Sequence, residues 1–442
     1  MGAEFTPLIL AANAIVCLIG IALCLVVMIA HGRLLLLPVG LLVFLVTNGV
    51  FQGAQLVVKM DVQYPTAPEM YERALAVHAI VVGLSLLPLL VMARIARPAR
   101  RITSDIKPLA LLLLTAVSLL AVGYFVVRNR EAIPLSLSLY SATDYYHYIE
   151  IRNAIGDVIN GHARSGNAPA NWAFGALCPA ILALLPSCRS VGRGLRLAWF
   201  ALVWIAMAAP ALLIGSRAML VFLLAFPVCA WSLGRIDWRH LVRRAISLWK
   251  PLVFGLLAGG VVFQMIFRSS LPEAVFGMFS RTMLTPGAVS ATYYLAFPDT
   301  FPFRGWAGIL MMPIGTDTID FRTVSNVMLE LDSNANASFT AIAYSGDGLP
   351  GVALATVVLI GVTVLVDLAL LGFPAVIANA LTIGNLLGAL ALGSVPLLIA
   401  LTTHGFALAP AFVLFVLWLL RSCPARRPQV MTARPISLPL TG

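Results

Sequence analysis

Long apolar stretches separated by polar connections form the pattern of this chain. An apolar run of roughly 20 residues crosses the hydrocarbon core of a bilayer as an α-helix. Such runs predict an all-α polytopic membrane protein with about 11 transmembrane helices (10–12), folded as a single integral membrane domain over residues 1–442. The runs lie at about 7–30, 34–58, 74–93, 108–127, 172–186, 197–214, 217–233, 251–267, 350–372, 375–400 and 404–420.

Composition supports the same class of protein. The chain is 60% hydrophobic and 11% charged, with a mean hydropathy of +0.96. A soluble domain is typically about a quarter charged. The run at 375–400 contains Asn379, Asn385 and Pro396, which predict a helix that is kinked or buried within the protein.

The distribution of charge predicts the topology. With the N-terminus outside, the inside segments hold 18 of the 29 lysines and arginines but only two of the 18 acidic residues, and a third, Asp367, lies in a span near its inside end. Basic loops stay on the cytoplasmic side of a membrane. The net charge of +11 is therefore a topology signal, and it does not predict nucleic-acid binding. The inside segments are the turn at Arg33, 94–107, 187–196, 234–250 and 421–442.

Two further patterns restrict the outer face. The segment 1–7 has no lysine or arginine, so the first run is expected to be a retained helix rather than a cleaved signal. The six cysteines, at 17, 24, 178, 188, 229 and 423, all fall in spans or inside. No CxxC occurs, so neither a disulfide nor a cysteine metal site is expected outside.

Two outside segments, 128–171 and 268–349, are long enough to carry a site. The first contains a predicted helix at about 142–160, in which Arg152 falls in register with an apolar stripe of Tyr148 and Ile155. A buried arginine needs a partner, so Arg152 is expected to meet a carboxylate, a lipid headgroup or an anionic ligand.

The second segment contains two predicted amphipathic helices. Ser270 and Glu273 form a capping box that starts a helix at about 271–284, and a shorter helix follows at about 320–332. Aromatic residues near them are suited to sugar stacking or to a membrane-interface belt. The sugar-stacking candidates are Tyr294, Trp306 and Tyr344. The whole segment is expected to form a lid, with the site beneath it.

Arginines facing outward are the clearest chemical signal. Arg217 follows Gly215 and Ser216 at the first turn of a predicted helix, where free N–H groups favour an anion. Arg268 and Arg281 follow at the next outer boundary. Arginine forks fit phosphate groups, so these residues predict a lipid pyrophosphate site, although interfacial arginines also snorkel to headgroups.

A general base is harder to select. Carboxylates and histidines of the outer segments can accept a proton from a hydroxyl, and the candidates are Glu330, Asp347, His162 and Glu150. No nucleophile elbow, HExxH or phosphate-loop motif occurs. Asp317 and Asp320 have no histidine close in sequence, so no metal or other cofactor is predicted.

Three stretches resemble Wzy-type O-antigen or oligosaccharide repeat-unit polymerases. They are Tyr-Ile-Glu-Ile-Arg at 148–152, Ile-Gly-Ser-Arg-Ala-Met-Leu at 214–220, and the polar approach to a late span at 334–351. Two Arg-x10-Gly patterns, Arg164 to Gly175 and Arg304 to Gly315, are also similar to the family's. They add Arg304 to the expected substrate-binding residues.

The resemblance implies a metal-independent GT-C-type glycosyltransferase of the bacterial inner membrane, with its site facing the periplasm. It would join undecaprenyl-pyrophosphate-linked units, and a Wzz-type chain-length regulator would be a possible partner. Arg217, Arg268 and Arg281 would hold pyrophosphate, and Arg152 a second lipid carrier or a sugar acid. An O-antigen ligase acting on lipid A core, and a lipid-linked glycan transporter or flippase, remain alternatives.

Overall fold

The computed structural model describes residues 2–56, 64–95, 106–141, 145–161, 168–214, 270–305, 307–310, 321–330 and 337–420, with the single positions 223, 257 and 261. Within these ranges all regular structure is helical, and they contain no strand. The prediction of an all-α protein is confirmed for this part of the chain.

The first half of the described chain contains nine α-helices. They are α1 Gly2–His31, α2 Leu36–Phe44, α3 Pro68–Ile95, α4 Pro108–Arg128, α5 Ala132–Ser141, α6 Tyr145–Gly161, α7 Ala168–Trp172, α8 Cys178–Leu184 and α9 Arg193–Ile214. A π-helical turn, Leu45–Val50, continues α2, and a second, Ala173–Leu177, joins α7 to α8.

The second half is more interrupted. Its α-helices are α10 Leu271–Phe279, α11 Thr285–Ala296, α12 Ala307–Leu310, α13 Phe321–Leu329, α14 Phe339–Leu371, α15 Ala375–Gly384, α16 Leu386–Ala391, α17 Leu397–Thr402 and α18 Leu408–Leu419. A π-helical turn at Ser280–Leu284 joins α10 to α11.

Six helical segments of the described chain are long and apolar enough to cross a membrane, as expected for a polytopic membrane protein. They are Thr6–His31, Pro68–Ile95, Pro108–Arg128, Ala168–Ser187, Arg193–Ile214 and Phe339–Leu371. Shorter apolar helices coincide with three more of the predicted spans. The predicted spans at 217–233 and 251–267 lie outside the described residues.

Two predicted spans differ in detail from the observed helices. The run at 375–400 is divided into α15, α16 and α17, with breaks at Asn385 and before Pro396, so the predicted kink is confirmed. The run predicted to begin at 350 begins at Phe339, and α14 contains a kink at Asp347 and Gly348.

The two ends of the helix bundle can be told apart by their hydrogen bonds. At one end, called here the Arg33 end, His31 Nε2 lies 2.9 Å from the Met92 carbonyl oxygen. Arg33 donates to the Phe373 carbonyl at 2.9 Å. The opposite end, called the Arg73 end, holds the start of α3, the end of α11 and the start of α14. These contacts orient α1, α3 and α14 across the bundle.

The first long polar segment folds as a helix pair, α5 and α6, that packs against α9. The predicted helix at 142–160 is present from Tyr145 to Gly161, but the expected register of Arg152 is wrong. Ile151, Ile155 and Ile159 form the buried row, and Arg152 is exposed. Successive residues of an α-helix project in different directions, so Arg152, which follows Ile151, points away from the buried row.

The described part of the second long polar segment lies partly in the hydrophobic core. Its predicted capping box is confirmed, with the Ser270 N–H donating to Glu273 Oε2 at 3.0 Å. Beyond it, however, α11 and the start of α14 lie in the hydrophobic core, and Ala291, Phe297, Phe339 and Ala341 are fully buried. Small residues allow this close packing: a Cβ on Gly287 would lie 3.1 Å from the Asn48 carbonyl oxygen.

Candidate functional site

Arg73 joins α3 to the C-terminal end of α11. Its guanidinium donates to the carbonyl oxygens of Tyr294 at 2.7 Å and Phe297 at 3.1 Å. It also pairs with Asp299, with 2.7 Å between Nη2 and Oδ2. The last carbonyls of a helix lack partners inside the helix and carry its negative dipole end. Arg73 therefore stabilises the end of α11 and leaves a partly exposed cation at the surface.

Arg304 is held against the kink of α14. Its backbone N–H donates to the Ser345 carbonyl at 3.0 Å, and its Nη2 donates to Ser345 Oγ at 2.8 Å. The next residue, Gly305, donates to the Gly346 carbonyl at 2.7 Å. Pro350 explains why that carbonyl accepts from outside the helix, because proline has no N–H to bond four residues back.

The kink requires glycine at position 348. Asp347 has φ −151° and ψ 36°, and Gly348 has φ 60°. A positive φ is favourable for glycine because it has no Cβ. A Cβ at this position would also lie 3.2 Å from Phe303 Cζ. The kink exposes part of Asp347 beside the segment that carries Phe303 and Arg304.

Tyr344 connects the two arginines. Its ring makes an edge contact with Phe303, with ring centroids 6.0 Å apart, and another with Tyr294 at 5.3 Å. Arg73 and Asp299 both lie close enough to act electrostatically on its hydroxyl. Because Ser345 follows Tyr344 and binds Arg304, one turn of α14 binds Arg304 and lies within electrostatic range of Arg73. We call Arg73, Asp299, Phe303, Arg304, Tyr344 and Asp347 the Arg73 cluster.

A buried chain of hydroxyls lies beneath this cluster. The Tyr294 hydroxyl is 2.9 Å from Thr340 Oγ1, which is 2.9 Å from Ser338 Oγ. Ser290 links Ser338 to the Asn48 side chain, at 2.8 and 2.9 Å. All five side chains are at most 1% exposed. Hydrogen bonding to one another removes the cost of burying them.

The burial of Tyr294 in this row of hydroxyls contradicts the sugar-stacking role predicted for it. Its ring is fully buried between Tyr344 and the core, so it has no free face on which a sugar could stack. Tyr344 is 5% exposed and its ring edges meet two other aromatic rings, which also makes it a packing residue. Phe303, 40% exposed, is the aromatic residue of the cluster that a sugar can reach. Trp306 lies outside the described residues.

The candidate general bases do not all lie in the Arg73 cluster. Asp347 belongs to the Arg73 cluster, and Glu330 ends α13, whose Met328 Sδ lies 3.7 Å from Thr300 Oγ1. Glu330 is exposed there with φ 53°. Glu150 is exposed on α6, 3.8 Å from His147, in a different part of the fold. His162 lies outside the described residues.

The arginines predicted to bind an anion do not all lie in the Arg73 cluster either. Arg304 is part of the cluster, and Arg152 lies apart from it on α6. Arg217 and Arg268 are outside the described residues. The backbone of Arg281 lies in the π-helical turn before α11, but its side chain is not among those described. The pyrophosphate site that these residues predict therefore remains a prediction.

Sequence reasoning missed Arg73, and it places Asp299 only among the outside carboxylates without selecting it as a candidate. Both belong to polar connections of the predicted outside face, and neither stands in a motif. One signal was present: Arg73 comes directly before the predicted span at 74–93, on the side that basic residues usually avoid. Only the fold shows that it meets residues more than 220 positions away.

Comparisons of this chain with protein-family models, with curated proteins and with solved structures find no match. The chain's own residues therefore carry the functional proposal.

Proposed function

We propose that this protein polymerises undecaprenyl-pyrophosphate-linked oligosaccharide units into O-antigen or a related surface polysaccharide. The observation that carries the proposal is the Arg73 cluster, where two arginines meet a reachable aromatic face and two carboxylates at one end of a membrane bundle. Under the proposal, the Arg73 end faces the periplasm and the Arg33 end faces the cytoplasm of a bacterial inner membrane.

The proposed reaction forms one glycosidic bond and breaks one sugar–phosphate bond. A hydroxyl of the acceptor unit attacks the anomeric carbon of the donor glycan, and the bond from that carbon to the pyrophosphate oxygen breaks. Undecaprenyl pyrophosphate leaves with the bonding electrons. Fixed cations stabilise the charge that develops on such a leaving group. Arg304 and Arg73 are the described residues suited to this role, and no metal is assigned to it.

Asp347 is the base that the proposal favours. It accepts the proton of the attacking hydroxyl, which requires a carboxylate within hydrogen-bond reach. Its place at the kink puts it one residue beyond the two carbonyls that hold the Arg304 segment. Replacement with asparagine should abolish transfer while Glu150→Gln retains it. Equal loss in both variants would contradict this assignment.

The acceptor distinguishes the proposal from its two alternatives. Purified protein is given lipid-linked units with EDTA present, with or without lipid A core. Polymerisation predicts products of several repeats on the lipid carrier without lipid A core. Transfer only to lipid A core would indicate a ligase. Movement of intact units across a vesicle membrane, with no new glycosidic bond, would indicate a flippase.

A further inference from the structure

A histidine inside the membrane-spanning bundle has a fixed tautomer. His78, on α3, is 1% exposed, and its Nδ1 lies 2.8 Å from Asn13 Oδ1 on α1. Asn13 Nδ2 donates to the Gly49 carbonyl at 3.0 Å and to Gln52 Oε1 at 2.9 Å. A backbone carbonyl can only accept, so the Asn13 amide orientation is determined. Its oxygen faces His78, and His78 Nδ1 must carry the hydrogen.

The other ring nitrogen therefore presents a lone pair. His78 Nε2 is buried and has no hydrogen-bond partner. Unpaired buried polar atoms are rare in folded proteins and call for a specific explanation, of which a bound ion is one. Ionisable residues within a membrane domain commonly mark functional sites. Histidine is also the commonest metal ligand, and it binds as the neutral imidazole through Nε2 or Nδ1.

A thiol lies beside that lone pair. Cys17, on α1, is fully buried, and its Sγ and His78 Nε2 both lie within 3.6 Å of one point. That point is where a Cβ would stand if residue 49 were not glycine. Gly49 belongs to the π-helical turn after α2, and such turns often occur at functional sites. The absence of a side chain at residue 49 leaves the sulfur and the nitrogen both beside Gly49.

We propose that Cys17 Sγ and His78 Nε2 form a binding site for a soft monovalent d10 cation, Cu(I) or Ag(I). Thiolate selects Cu(I), and imidazole also binds copper. Two ligands suffice for a two-coordinate d10 ion, whereas structural zinc takes four. Cys17 loses its thiol proton when the ion binds, because the thiolate is the ligand. The oxidation state of the ion does not change.

Polar side chains connect this site with the Arg73 end. Asn13 holds His78 on one side and Gln52 on the other. Gln52 lies just after the π-helical turn that leads from α2 towards that end, and its Nε2 is buried without a partner. The hydrogen bond from Asn13 to His78 also orients the imidazole, as second-shell partners do in metal sites. The site is separate from the proposed transfer reaction.

Metal titration of the full-length protein tests the inference. Reduced protein in detergent is titrated with Cu(I) against a bathocuproine competitor. Wild type is compared with Cys17→Ser, His78→Gln and Cys24→Ser. Cys24 is the matched control because it is fully buried on the same helix but does not border Gly49. Wild type and Cys24→Ser should bind one more equivalent of Cu(I) than the other two variants. Equal stoichiometry and affinity in all four proteins would overturn the proposal.

A second measurement does not depend on the variants folding. X-ray absorption of wild-type protein loaded with one equivalent of Cu(I) should show one sulfur and one nitrogen neighbour. A first shell of sulfur atoms alone, or one without sulfur, would contradict the site.

Discussion

Asp367 caps a helix that begins 331 positions earlier in the chain, because its Oδ1 accepts the backbone N–H of Leu36 at 2.6 Å. Its second carboxylate oxygen accepts the N–H of Leu37 at 2.9 Å. Asp367 is fully buried. The first N–H groups of a helix have no partner within it, and a negative charge is favourable at that end. This pair therefore joins α14 to α2 at the Arg33 end.

Replacing Asp367 with asparagine should destabilise the protein. Asparagine offers one acceptor where two N–H groups need one each, and its own NH2 group would face a donor. Leaving one buried donor unsatisfied costs about 1–3 kcal/mol. Thermal unfolding in detergent measures the effect. Asp157→Asn, at an exposed position of α6, is the control, and an equal fall in Tm for both variants would contradict the capping role.

Gly384→Ala should destabilise the bundle more than Gly361→Ala. A Cβ on Gly384 would lie 2.8 Å from the backbone nitrogen of Ala180 on α8, whereas a Cβ on Gly361 has open space around it. Overpacking of this kind typically costs about 1–3 kcal/mol. Gly361→Ala should be neutral or slightly stabilising. Unfolding of the two variants in parallel decides between them, and a more stable Gly384→Ala protein would refute the close approach of α15 and α8.

The capping box of α10 should weaken at acidic pH. Hydrogen bonds from the Ser270 side chain and then its backbone hold the pKa of Glu273 below its ordinary value. A lowered pKa in the folded state means that the ionised form contributes stability. That contribution is present at neutral pH and is lost as the pH falls through the folded-state pKa of Glu273, which lies below the ordinary pKa of a glutamate.

Hydrogen exchange of the first turn of α10 measures this change. Protection should fall in acid in the wild type. Ser270→Ala, which removes the side-chain hydrogen bond, should show weaker protection at neutral pH and a smaller change on acidification. An identical pH profile in the two proteins would show that the box does not stabilise this turn.

Arg304→Ala should reduce glycan transfer more than Arg304→Lys, and both more than Arg152→Ala. Arg304 Nη2 donates to Ser345 Oγ beside the kink of α14, while Arg152 is exposed on α6. Lysine keeps the charge but loses the fork that matches phosphate. Rates of elongation by purified variants of equal stability measure this order. Full activity in Arg304→Ala with loss in Arg152→Ala would place the site near α6.

The sequence predicts the membrane helices well and the site less well. Apolar runs of sufficient length specify α1, α3, α4 and α9 because each of these helices must be long and apolar enough to cross the hydrocarbon core of the bilayer. The Ser270 capping box is equally local. By contrast, α11 contains Ser290, Thr292 and Tyr294, which resemble loop residues in sequence. Their burial depends on hydroxyl partners in α14 and on Asn48, and no local pattern records those contacts.

Arg152 and Arg73 both show why site residues are harder to predict from sequence than membrane helices. One residue of error in the register of α6 moves Arg152 from the buried row to the surface. Arg73 stands next to a span and carries no motif, yet it binds the end of α11. In both cases the role of the arginine depends on its surroundings in the fold. The partners of Arg73 are distant in sequence, and periodicity fixes the helix face that carries Arg152 only approximately.

The product that purified protein makes from one kind of lipid-linked repeat unit tests the proposed polymerase activity most directly. A polymerase should give a ladder of glycans that differ by one repeat, formed in EDTA, with one undecaprenyl pyrophosphate released for each bond. Arg73→Ala, which removes a cation of the Arg73 cluster, should yield little or no ladder. Wild-type protein that is folded but gives no product longer than its substrate would contradict the proposed polymerase activity.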